Sequence, residues 1–167
     1  MTKLSTPVPI IRTAADGERR WFYGGGVHTW KATADETGGG FLLFEDQVER
    51  GKSTPLHLHP NSDESMYVLD GEILIHMDGE EYQVGTGGLA VAPRGVPHAF
   101  LVLSDGARLL CLHTPACYQA QAFYMGASDP ISPDAPASGP VDFARVHASA
   151  GQNGGIEIVG PPPFTQS

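Results

Sequence analysis

The chain has 167 residues, enough for one domain with a single core and too few for two independent ones. A formal net charge of −9, with no basic cluster to offset it, excludes a nucleic-acid backbone as a natural partner. No stretch approaches the roughly 18 consecutive apolar residues of a membrane span. Two cysteines, Cys111 and Cys117, are too few for a disulfide scaffold and are not spaced as C-x-x-C.

Residues 1–20 read as an N-terminal arm, with a brief pairing segment from Val8 to Arg12. The first ten residues lack the basic flank and long apolar run of a secretory signal, so a cytoplasmic protein is expected. From Trp21 onward, short β-rich runs alternate with Gly, Pro, Asn and Asp. They predict strands at His28–Ala34, Gly40–Val48, Pro55–His59, Glu64–Leu69, Glu72–Met77, Glu80–Val84, Gly88–Ala92, Ala99–Leu103 and Arg108–His113. Two Asp-Gly pairs, Asp70-Gly71 and Asp78-Gly79, carry the residues that two-residue hairpin turns favour, because both tolerate positive φ. Short antiparallel strands in succession close into a barrel or jelly roll, expected here over residues 21–126. Within that stretch Tyr118–Gly126 fits either a strand or a short helix. The remainder, 127–167, reads as a linker around Ser128–Pro140, a weak helix at Val141–Ala150 and a strand at Ile156–Val159, all packed on the barrel.

Chemistry concentrates in Gly51–Gly71 and Gly87–His98. On a strand, residues two apart share a face, so His57 and His59 project together while Leu56 and Leu58 face the other way. Pro60 to Asp63 turns the chain, and Glu64 opens the next strand where its carboxylate reaches back beside both imidazoles. His98 follows the turn at Pro93–Gly95 and supplies a third imidazole. This set suits one divalent transition metal, with Fe, Mn, Ni or Co expected ahead of a closed Zn site. Glu64 can ligate the ion or take a proton from an incoming hydroxyl as general base. Counting inward from Glu64 and His98 places Met66, Val68, Phe100 and Val102 on the pocket wall. The inward face of Gly40–Val48 is either Phe41 with Leu43 or Leu42 with Phe44. An apolar pocket around one ion suits a flat, weakly polar substrate. His28, His76, His113 and His147 have no partner by spacing and read as ordinary core or surface residues.

Gly51 to Gly71 satisfies every fixed position of G-x5-H-x-H-x4-E-x6-G, and Gly87 to His98 satisfies G-x5-P-x-G-x2-H. In these residues the chain resembles the cupin superfamily, with Val102 standing where that family often has Asn. The resemblance implies an all-β fold, the double-stranded β-helix or jelly-roll barrel, here with a short C-terminal helical segment. Trp21 to Gly24, Thr37 to Gly39, Gly106 to Pro115 and the ending Gly155 to Pro162 extend it to small single-domain cupins related to quercetinases. That family binds a flavonol to the metal through its 3-hydroxyl, deprotonated by the motif glutamate, and opens the ring with O2 and loss of CO. Carried over, it implies His57, His59, Glu64 and His98 as ligands and Glu64 as the catalytic base. A dioxygenase with a small-molecule substrate and O2 is therefore expected, in competition with a Lewis-acid isomerase or lyase and with a non-catalytic binding module. Cupins commonly pair through barrel faces, so a homodimer is expected as well.

Overall fold

The computed structural model describes residues 6–131 and 140–165. Ten strands run in chain order before the first helix: β1 (Arg19–Phe22), β2 (Gly26–Ala32), β3 (Leu42–Glu49), β4 (Leu56–Leu58), β5 (Asp63–Asp70), β6 (Glu72–Met77), β7 (Glu80–Gly85), β8 (Leu89–Ala92), β9 (His98–Val102) and β10 (Gly106–Thr114). Helix α1 (Tyr118–Gly126), β11 (Ser128–Pro130), α2 (Phe143–Asn153) and β12 (Glu157–Gly160) follow. The predicted strands all form, with ends displaced by a residue or two. Strands β1 and β11 were not anticipated; they pair with each other, and β1 also pairs with β2. Most of the predicted linker falls on residues 132–139, outside the described residues.

Two antiparallel sheets face one another. One has the order β11-β1-β2-β3-β10-β5-β8 and the other β12-β4-β9-β6-β7. Alternation sends Leu42, Phe44 and Val48 inward from β3, Met66 and Val68 from β5, and Leu109 and Cys111 from β10. They meet Ile73 and Ile75 from β6 and Phe100 and Val102 from β9 in one apolar core. Leu42 and Phe44 are thus the inward pair on β3, and Phe41 faces out. This is a double-stranded β-helix carrying a C-terminal helix.

Two expectations need correction. Asp78-Gly79 makes the expected hairpin between β6 and β7, with both residues at positive φ. Asp70-Gly71 does not: β5 lies in the seven-stranded sheet and β6 in the other, so this pair is a corner between sheets. There Gly71 has φ of 87°, and a Cβ would lie 2.5 Å from the Gly106 carbonyl oxygen. Val8–Arg12 forms no strand either. Pro7 and Pro9 remove donors that a ladder would need, and the segment is held instead by Arg12 on Glu36 and the Lys31 carbonyl.

Candidate metal centre

His57 sits on β4, paired in register with His98 on β9, so the two imidazoles share a face of the five-stranded sheet. His59 follows at the end of β4, and Glu64 enters from β5 in the opposing sheet. The two motif loops are tied together. Gly95 donates its N–H to the His59 carbonyl at 2.9 Å, and Arg94 binds Asp63 through its backbone N–H at 2.9 Å and its side chain at 3.0 Å.

The structure brings His57, His59, Glu64 and His98 into one buried cluster whose ligand atoms all lie within 4.8 Å of one another. That span matches the diameter of a shell with bonds of about 2.0–2.4 Å. Each imidazole is oriented by a backbone carbonyl at Nδ1: Pro55 at 2.7 Å for His57, Gly155 at 3.1 Å for His59 and Val96 at 2.9 Å for His98. A carbonyl oxygen only accepts, so each Nδ1 carries the proton and each Nε2 is left for the centre. Glu64 Oε2 lies 3.0 Å from His59 Nε2 and 2.8 Å from His98 Nε2. This donor set, three oriented imidazoles and one carboxylate, is compatible with a site for one metal ion.

Charge in the cluster is finely shared. Burial alone would raise the Glu64 carboxyl, but His113 and His59, with hydrogen bonds from His59 and His98, hold it well below its ordinary value. Burial, reinforced by His98 and His59, keeps His57 neutral by pushing it well below 6.5. Burial also opposes charge on His98, yet the hydrogen bond and charge of Glu64 win and raise it. Any proton on His98 Nε2 facing Glu64 would have to leave before that nitrogen could bind a cation.

His113 was read as an ordinary residue and is not one. It is fully buried, with Nε2 3.1 Å from the Tyr124 hydroxyl and 3.6 Å from Glu64 Oε1. Burial lowers it to about 3, so it stands neutral behind the carboxylate. The alternation Ala107, Leu109, Cys111 along β10 already pointed His113 inward. Tyr124 comes from α1, whose contact with the barrel no spacing rule reveals. His28 is also buried, between Phe22 and Phe44. His76 is half-buried, 4.0 Å from Glu81, and His147 is exposed on α2.

The cluster opens on a cavity of about 50 Å³. Met66 and Phe100 line it, as expected from alternation, with Phe44 beside them. Val68 and Val102 do not. They lie four residues from Glu64 and His98, roughly 13 Å along their strands, and pack in the core instead. Phe123 and Tyr124 of α1, Val146 of α2 and Ile156 close the cavity from the C-terminal side.

Residues 44–114 match the family model described as the cupin domain. Over 103 residues the chain is 33% identical to quercetin 2,3-dioxygenase of Bacillus subtilis (strain 168), a match covering 62% of this chain and 30% of that protein. The chain therefore spans less than a third of that relative. The solved structure of KdgF from Halomonas sp. superposes with a TM-score of 0.58 at 20% identity, over 67% of this chain and 96% of that one. An RmlC-like cupin from Shewanella frigidimarina NCIMB 400 gives 0.56 at 19% identity, over 63% and 89%. These two likenesses concern the fold alone. Motifs, domain match and fold agree over residues 44–114: this stretch matches the cupin domain, and the chain is similar to quercetinase-like cupins.

Proposed function

We propose that the chain is a metal-dependent dioxygenase that cleaves a phenolic or enolisable small molecule with O2. The observation that carries this reading is the placement of His57, Glu64 and His98 of the four-residue cluster on the wall of an aromatic-rich cavity. His57, His59, Glu64 and His98 would hold the ion, which when bound supplies Lewis acidity toward an enolate or phenolate oxygen and open positions for O2.

The chain's own residues supply the rest. Glu64, ionised under all neutral conditions, accepts the proton of the substrate hydroxyl at Oε2. Its lowered value makes it a weak base, which suits an acidic enol or phenol and not an alkyl alcohol. His113, neutral at Glu64 Oε1, and the Tyr124 hydroxyl behind it keep the carboxylate in place. Phe44, Met66 and Phe100 exclude water from the developing charge. The relative that is a quercetin 2,3-dioxygenase supports the reaction class.

A cavity of about 50 Å³ holds only a few water-sized groups. A multi-ring substrate therefore requires Phe123, Val146 and Ile156 to move aside. That observation also favours a second reading, a Lewis-acid isomerase or lyase acting on a smaller molecule. Oxygen uptake with flavonols and simpler enols separates the two. Consumption of O2 in step with substrate loss is expected, and turnover at an undiminished rate under argon would sink the dioxygenase. His57→Ala or His98→Ala is expected to abolish stoichiometric metal and reduce uptake at least about 100-fold while circular dichroism stays unchanged. Full metal occupancy in either variant removes the ligand assignment.

A further inference from the structure

A second polar group lines the same cavity, away from the four-residue cluster. His28 on β2 pairs in register with Asp46 on β3, and Lys52 follows just after β3. All three line the cavity, at 2%, 5% and 4% exposure. Charged side chains this deep normally have every polar atom engaged. These do not. His28 Nε2 lies 3.3 Å from Asp46 Oδ1 without a hydrogen bond between them, and Asp46 Oδ1 and His28 Nδ1 both lack a hydrogen-bond partner among the described residues. Lys52 Nζ donates once, to the Gly24 carbonyl at 2.6 Å, and rests 4.5 Å over the Phe22 ring. An ammonium has further N–H groups to give.

The group is held in place without being closed. The His28 ring is clamped between Phe22 and Phe44, at centroid distances of 4.5 and 4.6 Å. Burial draws Lys52 down to about 8, while Asp46 and Glu49 act against that fall, so it remains largely cationic at neutral pH. A purely structural ion pair would complete its hydrogen bonds, and apolar residues of similar size would stabilise the core at least as well. Its open valences point to a ligand.

We propose that His28, Asp46 and Lys52 form a hydroxyl-binding station for the far end of the substrate whose reacting oxygen sits at His57, His59, Glu64 and His98. The inference rests on the cluster being the substrate site proposed above. A hydroxyl can donate to Asp46 and accept from Lys52 at once. A carboxylate has no proton for Asp46 and would add a second negative charge beside it, and an ammonium would be opposed by Lys52. The class is therefore a phenol or enol carrying a second, neutral hydroxyl remote from the first. Register places Glu64 opposite His113, His113 opposite Leu42, and Asp46 four residues beyond Leu42. The offset is two strands sideways and four residues lengthwise, roughly 10 and 13 Å at the backbone. Side chains leaning into the cavity from both places shorten that span.

The test uses cobalt-loaded protein without O2, where visible absorption reports a new oxygen ligand on the ion. The probes are the parent flavonol and its polyhydroxylated counterpart, quercetin. Quercetin is expected to bind at least about tenfold tighter. Lys52→Met and Asp46→Asn, checked for folding by circular dichroism, should each bring the ratio below about threefold and leave the parent flavonol's affinity unchanged. Equal affinities in wild-type protein, an unchanged ratio in either folded variant, or no binding of either probe overturns the station. Binding with the predicted ratio but no O2 uptake in air would sink the dioxygenase and leave the station standing.

Discussion

His113 shows how a residue with no motif acquires a measurable role. Its folded value of about 3 lies below the 6.5 of an unfolded chain, so between these limits the unfolded state binds a proton that the folded state refuses. Stability of metal-stripped protein must therefore fall as pH drops through this window. The effect of one such group is about 1.4 kcal/mol per pH unit. His57, lowered by the same burial, acts in the same sense. His98, raised by Glu64, acts oppositely: its contribution is complete below 6.5 and is lost as pH rises through its folded value. Urea titrations between about pH 4 and 6 should show the slope of His113→Phe reduced by one group's worth. An unreduced slope would mean that His113 is already charged in the fold. At this scale the four cluster residues were legible, because motif spacing encodes them. His113, His28 and Asp46 were not, because their meeting depends on strands far apart in the chain.

Two identical dipeptides took different roles as elements, and the difference is physical. Asp78-Gly79 joins neighbouring strands, whereas Asp70-Gly71 hands the chain from one sheet to the other. Local turn chemistry is the same in both, and pairing is decided by which face must be buried. Alanine at Gly79 meets no atom within 4 Å and should cost about 1 kcal/mol for its positive φ alone. Alanine at Gly71 also meets the Gly106 carbonyl and Ala107, so a loss of about 3 kcal/mol or more is expected. Chemical denaturation of the two variants checks this, and equal losses would contradict the corner geometry. Strand positions were readable from alternation and punctuation, while β1 and β11, only a few residues each, left too little pattern to see.

For the whole molecule, assembly is the open surface question. The outer strand β8 exposes Leu89 and Val91, next to Tyr67 on β5. A homodimer covering this patch is the assembly we expect, and Leu89→Lys should shift it toward monomer in light scattering behind a sizing column. A wild-type chain that runs as a monomer at high concentration would remove the expectation. Among the described residues, no helix is long and apolar enough to cross a membrane.

The Gly155 carbonyl that orients His59, together with β12 lying along β4, has a consequence for biosynthesis. When the ribosome has made His59, the carbonyl that aims it is still 96 residues from being translated. The nascent protein thus emerges with this cluster incompletely oriented until β12 has paired with β4. A chain cut between His98 and Gly155 would hold the four cluster residues without the carbonyl that orients His59.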